Sequence, residues 1–166
     1  MAQINQGRFT ADLDGDEIVV FLIGMRVNKP WKVRKWLPVF LAMPKMLRYL
    51  TEHPEKGLLG YRQGLTVVVQ YWRSFEDLDR FARNGDDPHL EPWRKFVRAV
   101  GSSGDVGIWH ETFRAKVAEI ETIYTNMPTA GLAKFTGGAV PVGRKGNSAA
   151  KRIGFRDTDD VAVPAP

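Results

Sequence analysis

The sequence has no cysteine and only three histidines in 166 residues. Disulfides, thiolate metal sites and cysteine nucleophiles are thereby excluded, and a cytoplasmic setting is expected for a chain that uses no disulfide. Long apolar runs are missing as well. The stretches 18–25 and 65–69 fall far below the ~20 residues of a membrane helix, so no membrane partner is expected. Residues 1–16 have no apolar stretch of the signal-peptide kind and close on Asp12, Asp14 and Asp16. A large charge excess is also lacking: the net charge is +5, residues 1–127 hold 18 basic against 16 acidic side chains, and residues 128–166 hold 6 against 3. A nearly neutral body without a basic stripe interleaved with stacking aromatics argues against nucleic acid as a partner.

What remains is an ordinary globular composition, 43% hydrophobic and 11% aromatic, enough for one domain with its own core. Residues 17–27 hold a near-continuous apolar run, Ile18 to Ile23, which predicts a strand covered on both faces. Trp36, Val39, Phe40, Met43, Met46, Leu47 and Leu50 then recur at helical spacing, with Pro30 suited to a first turn and with Pro38 and Pro44 expected to break or kink the helix. Residues 58–62 and 65–72 flank Gln63-Gly64 and predict a tight hairpin, with Val68, Gln70 and Trp72 on one face of its second strand. Ser74-Phe75-Glu76-Asp77 reads as an N-cap with acids in the first turn, opening a helix that buries Leu78 and Phe81 and stops near Asn84-Gly85. A second helix is expected from Pro92, a strand over 106–116 and an extended segment over 119–127.

Strand, helix, strand, strand, helix, strand is the order of a split βαβ, so the fold class is α+β and ferredoxin-like. The expected organisation is an N-terminal arm over 1–15, the ferredoxin-like domain over 16–127, and a basic, Gly/Pro-rich arm or disordered tail over 128–166. One sheet with helices on a single face leaves the other face bare, which homodimerisation would cover.

Few residues can carry chemistry. His53 lies in the polar Glu52-His53-Pro54-Glu55 and reads as a solvated helix end. His89 sits in the turn between two helices. His110 stands in the middle of the last strand of the domain, with Ile108, Thr112 and Arg114 on its face and Gly107, Trp109, Glu111 and Phe113 on the other. His110 and Glu111 therefore diverge, which weakens an iron site built from His89, His110 and Glu111. Gly101-Ser102-Ser103-Gly104 lacks the lysine of a phosphate-binding loop, His110-Glu111 lacks the second histidine of a zincin helix, and no G-x-S-x-G elbow is present. No metal site is expected.

The run Tyr71-Trp72-Arg73-Ser74-Phe75-Glu76-Asp77-Leu78, with Phe81 and then Pro88-His89, resembles the strand-to-helix passage of the antibiotic biosynthesis monooxygenase-like, dimeric α+β barrel superfamily. Gly107-Ile108-Trp109-His110-Glu111-Thr112, with Glu121, Tyr124 and Asn126-Met127-Pro128, is similar to a monooxygenase-like branch that includes a relative in the fumagillin pathway. The likeness covers roughly residues 15–135. It implies a homodimer whose sheets face each other as a barrel, with a pocket between sheet and helices in each protomer. It also implies oxidation of a small aromatic or polyene molecule with O2, often without a cofactor, and a strand-end tryptophan, here Trp72, that positions substrate. Other members bind haem through a histidine near the position of His89. The asparagine that some haem degraders carry at the start of the first strand has no counterpart here.

The expectation is thus a monooxygenase-like enzyme for a hydrophobic small molecule, in a pocket with an aromatic and Met lining. His110, His89 and Glu111 are its candidate catalytic residues, with His89 or His110 as base for deprotonation. Arg26, Gln70, Trp72, Trp93, Trp109, Arg114, Tyr124 and Met43 are its candidate substrate contacts, with Trp36 and Phe40 also expected in the lining. The alternatives are a haem b protein of the same fold with His89 or His110 as axial ligand, and a non-catalytic dimer that binds a small ligand.

Overall fold

The computed structural model describes residues 3–87 and 90–155. His89 lies outside the described residues. The chain falls into two compact units, residues 19–113 and residues 1–18 with 114–166. Among the described residues there are two antiparallel sheets, one of four strands and one of three.

The four-stranded sheet is ferredoxin-like. Its strands are β2 (Glu17–Val27), β3 (Leu58–Gln63), β4 (Val67–Trp72) and β5 (Val106–Lys116), in spatial order β3-β4-β2-β5. Helix α1 (Val33–Glu52) joins β2 to β3, and α2 (Phe75–Arg83) with α3 (Leu90–Ala99) joins β4 to β5. This is the split βαβ read from the sequence. The ladder of β2 on β4 runs from Val19↔Trp72 to Gly24↔Val67.

Several local expectations shift. The β3–β4 connection is a three-residue loop in place of a two-residue turn: Gln63 stays in the ladder opposite Val68, and the Gly64 amide donates to the Val67 carbonyl at 2.8 Å. Helix α3 starts at Leu90 and places Pro92 third, within the first turn, where backbone amides have no intrahelical acceptor and a proline forfeits no bond. Pro30 precedes α1 and serves as an acceptor for Trp36 Nε1 at 2.9 Å. Helix α1 continues through both Pro38 and Pro44 as one element. Two backbone bonds are forgone there, and burial of Leu47 and Leu50, at 1% and 2% exposure, anchors the far half of the helix.

The core of this unit gathers Val19, Leu50, Leu58, Trp72, Leu78 and Phe81. Helix α2 forms as its sequence dictates. Ser74 Oγ accepts from the Asp77 amide at 3.1 Å, and the buried Asp77 carboxylate receives Arg73 at 2.9 Å and Arg80 at 3.1 Å. Gly57 (φ 93°) packs its α-carbon against Asp77, so that any side chain there would meet the carboxylate, in a backbone conformation that already favours glycine.

Two buried carboxylates clasp α1 at either end. Asp105, just before β5, receives Lys29 at 2.8 Å and Lys32 at 2.9 Å. Hydrogen bonds from the two lysines pull its carboxyl down to about 2 against the opposing effect of burial. Near the other end Asp87 receives Tyr49 at 2.7 Å, Lys56 at 2.7 Å and Asn84 at 3.0 Å. Burial pushes this carboxyl up, and the bonds from Lys56, Tyr49 and Asn84 together outweigh it and hold the carboxyl below the usual range.

The other unit corrects the reading of both termini. The stretch read as an N-terminal arm contains β1 (Asn5–Ala11), the central strand of a three-stranded sheet between β6 (Tyr124–Met127) and β7 (Ala139–Pro141). The stretch from 128 read as an arm or disordered tail carries α4 (Gly131–Phe135), β7 and α5 (Ala149–Arg152) among its described residues. Pairing partners supply the order that composition does not announce. Thr10 and Thr122 share a hydrogen bond at 3.0 Å, and Arg152, nearly buried, donates to the Glu121 carboxylate and to the Gly146 carbonyl. Asn126 takes a positive φ of 50° and accepts the Gly7 amide at 2.8 Å where the β1–β6 register slips.

Candidate functional site

Strand alternation decides which side chains meet. On β5, Ile108, His110 and Thr112 face a cavity of about 1280 Å³; on β2, Phe21, Ile23 and Met25 face the same space. Helix α1 supplies Phe40, Met43 and Met46 to the wall, α2 supplies Leu78 and Ala82, and α3 supplies Trp93 and Phe96. The volume exceeds the ~300–1,000 Å³ usual for small-molecule sites, and the lining has their character, apolar with a few polar groups. The space lies open to solvent between sheet and helices, where the α1 stripe is only half-buried at Val39, Phe40, Met43 and Met46.

Among the described residues, His110 is the histidine that lines this cavity. Its ring lies 5.5 Å from that of Phe21, tilted by 35°, so an aromatic side chain of the neighbouring strand backs the imidazole. Thr112, two residues on, brings a hydroxyl to the same wall. His110 and Thr112 are both exposed at this wall, and an imidazole beside a hydroxyl there can take and return a proton at a bound molecule.

Among the described candidates, His110, Met43 and Trp93 line the cavity and the others lie elsewhere. Trp72 is fully buried at 0% exposure and donates its indole N–H to Gln70 Oε1 at 2.9 Å. Gln70, itself buried, reaches Met43 Sδ at 3.9 Å. This pair satisfies itself inside the core and does not line the cavity, although Gln70 touches Met43, which does. Trp109 lies on the other face of β5, its indole over Gly24, where a Cβ would come within 2.5 Å of Cε2. Glu111 shares its side of the strand by alternation and is exposed. Arg26 is exposed and outside the cavity lining. Arg114 pairs with Glu17 at 2.8 Å. Tyr124 belongs to the other unit and accepts the Ala133 amide at 3.4 Å. Trp36 is held by Pro30 and stays out of the lining.

Four cations at the cavity escaped the sequence reading: Arg34, Lys35 and Lys45 of α1 and Arg98 of α3. For the three on α1 the available signal was their interleaving with the exposed Leu37 and Leu41. Among the described residues no helix is long and apolar enough to cross a membrane.

A family model described as Monooxygenase af470-like matches residues 18–132, which bears out the resemblance to a monooxygenase-like branch. The chain is also 30% identical over 151 residues to Monooxygenase af470 of Aspergillus fumigatus, an alignment that takes in 76% of this chain and 53% of the relative. The chain thus spans about half the length of that curated relative. The matched range runs from β2 to α4 and contains every strand and helix around the cavity, and on that match the chain belongs to the Monooxygenase af470-like family.

Proposed function

We propose that the protein is a monooxygenase-like oxidoreductase that binds a small hydrophobic molecule, aromatic or polyene, in the cavity between β2, β5 and the helices, and oxidises it with O2. The observation that carries this reading is the position of His110, an exposed imidazole lining a large, mostly apolar cavity, in a chain of a monooxygenase-like family. In this reading His110 removes a proton from an activated C–H or O–H of the substrate. The resulting anion is electron-rich enough to react directly with O2. For an activated methylene the balance is CH2 plus O2 to C=O plus H2O: one oxygen atom enters the product and the other leaves as water, with the electrons drawn from the substrate.

Met43 and Trp93 contribute apolar surface, and the flexible thioethers of Met43 and Met46 adapt to ligand shape. The outer face of β5 supports a homodimer, because Trp109 and Phe113 remain 40% and 51% exposed there and a second copy would cover them. Phe113→Asp should then halve the mass seen by light scattering. A cytoplasmic setting accords with a chain that has no cysteine.

The test is O2 uptake by purified protein with electron-rich phenols, quinols and polyenes. Uptake that depends on substrate and falls about 100-fold or more in His110→Ala is the expected result. Saturable binding with no uptake under any condition would instead make the protein a ligand-binding dimer.

A haem reading rests on the same histidine, since an imidazole beside apolar walls suits an axial ligand. Haem would supply O2 activation when bound, with His110 or His89 holding the iron. Haemin titration decides it: a saturable Soret shift lost in His110→Ala supports haem, and a featureless titration removes it.

A further inference from the structure

Behind one wall of the cavity lies a buried amide with a poor partner. Gln70, 5% exposed, accepts the Trp72 indole N–H on its Oε1 at 2.9 Å. An indole nitrogen can only donate, so that bond settles which end of the amide is oxygen and turns Nε2 the other way. Among the described residues the acceptor that Nε2 meets is Met43 Sδ, at 3.9 Å. A thioether accepts weakly, and an amide nitrogen held in the core with nothing better keeps much of its desolvation cost. Met43 is half-buried and lines the cavity, so the side chain that caps the amide is also cavity wall. Gln70 stands opposite Phe21 in the ladder of β2 on β4, and the Phe21 ring lies 5.5 Å from that of His110. Amide and imidazole therefore share one face of the sheet, two strands apart, about 9.6 Å between strand axes.

We propose that Met43 is a movable cover over a hydrogen-bond donor, and that the ligand of this cavity carries a carbonyl oxygen that displaces the thioether and accepts from Gln70 Nε2. The proposal rests on the reading of the cavity as the substrate site and adds a functional group to what enters it. Met43 suits the role of cover because its unbranched side chain turns about three bonds and refills irregular space. A carbonyl suits the donor because it is neutral, as an apolar lining requires, and accepts far better than sulfur does. The amide has already given up its water in the core, so the new bond replaces a weak contact and not a hydrated one. The span of two strands leaves room for a ring or a conjugated chain between the carbonyl at Gln70 and the C–H or O–H at His110. Gln70 thus selects ketones, quinones and enones over hydrocarbons of the same shape. It grips the carbonyl in ground state and transition state alike, so its loss raises KM and leaves kcat in place.

The test pairs 2-acetylnaphthalene with 2-isopropenylnaphthalene, which has the same shape with a methylene in place of the carbonyl oxygen. Each displaces a neutral apolar dye, N-phenyl-1-naphthylamine, from the protein. Gln70→Met, similar in length and without a donor, should weaken the ketone about 5-fold and leave the alkene within about two-fold. Met43→Ala, which lifts the cover, should tighten the ketone relative to the alkene by a similar factor. The carbonyl-carbon NMR resonance of isotopically labelled ketone reports the bond itself. Bound to the unmodified protein it should lie downfield, near its position in water, and bound to Gln70→Met it should move upfield toward its position in hexane. A hexane-like resonance in the unmodified protein would overturn the carbonyl inference and leave the cavity reading standing. So would a downfield resonance that survives in Gln70→Met, or equal weakening of ketone and alkene in that variant. Should Gln70→Met fail to fold, a ketone-to-alkene ratio left unchanged by Met43→Ala would overturn the inference in its place. Displacement of the dye by neither compound would overturn the cavity reading itself.

Discussion

The two faces of β5 share one backbone and do opposite work. Toward the helices, Ile108, His110 and Thr112 border open space. On the other side Trp109 presses on Gly24 so closely that a single added carbon would collide with it. A strand can hold both because successive side chains point to opposite faces. Residues adjacent in sequence are thus far apart in role, and adjacency in a motif such as Trp109-His110-Glu111 says little about shared chemistry.

The largest expected effect falls on the inner face. His110→Ala should lower turnover about 100-fold to 10,000-fold, while Glu111→Ala should leave turnover and KM within about two-fold. Comparable losses in both variants would break the distinction between faces. Next in size is Trp72→Ala. Removing a fully buried indole should cost about 3–5 kcal/mol in denaturant unfolding, and kcat per folded molecule should persist. A kcat loss with full stability would return Trp72 to the site.

A smaller effect sharpens the outer face. Gly24→Ala should destabilise by about 1–3 kcal/mol through overpacking against Trp109, and much less in a Trp109→Ala background, because the two positions share one contact. The smallest effect is confined to acid. The Asp105 carboxyl is depressed in the folded state to about 2 by Lys29 and Lys32, against about 3.9 in the unfolded chain. Its contribution is therefore present above pH ~4 and lost as pH falls through about 4 toward 2. Asp105→Asn should lower the melting temperature at neutral pH and flatten its decline between pH 4 and 2.

The regular elements were legible where pattern and punctuation agree. The apolar run of β2, the Ser74 cap with Glu76 and Asp77, and the alternation of Val68, Gln70 and Trp72 each follow from local rules. The three-stranded sheet was not legible. Strand β7 has three residues, β1 is interrupted where Asn126 meets Gly7, and both lie in stretches whose order comes from pairing across more than a hundred residues. Residues of the family-like run turn out to serve that sheet: Asn126 holds the register slip, Tyr124 holds α4 and Glu121 holds Arg152. The contacts they make are ones that hold that unit together.

The site was legible in part. Alternation alone placed His110 apart from Trp109 and Glu111. What alternation cannot show is whether a residue on the helix-covered face meets a neighbour or a void. Trp72 and Gln70 satisfy each other in the core, whereas His110 two strands away borders the cavity.

The central claim, that the inner face of β5 borders the binding site, is tested most directly by filling that space. Saturable binding of N-phenyl-1-naphthylamine should be abolished by Thr112→Trp, which places an indole in the cavity, and retained by Glu111→Trp on the other face, with both variants folded by circular dichroism. Equal binding by the two variants would contradict it.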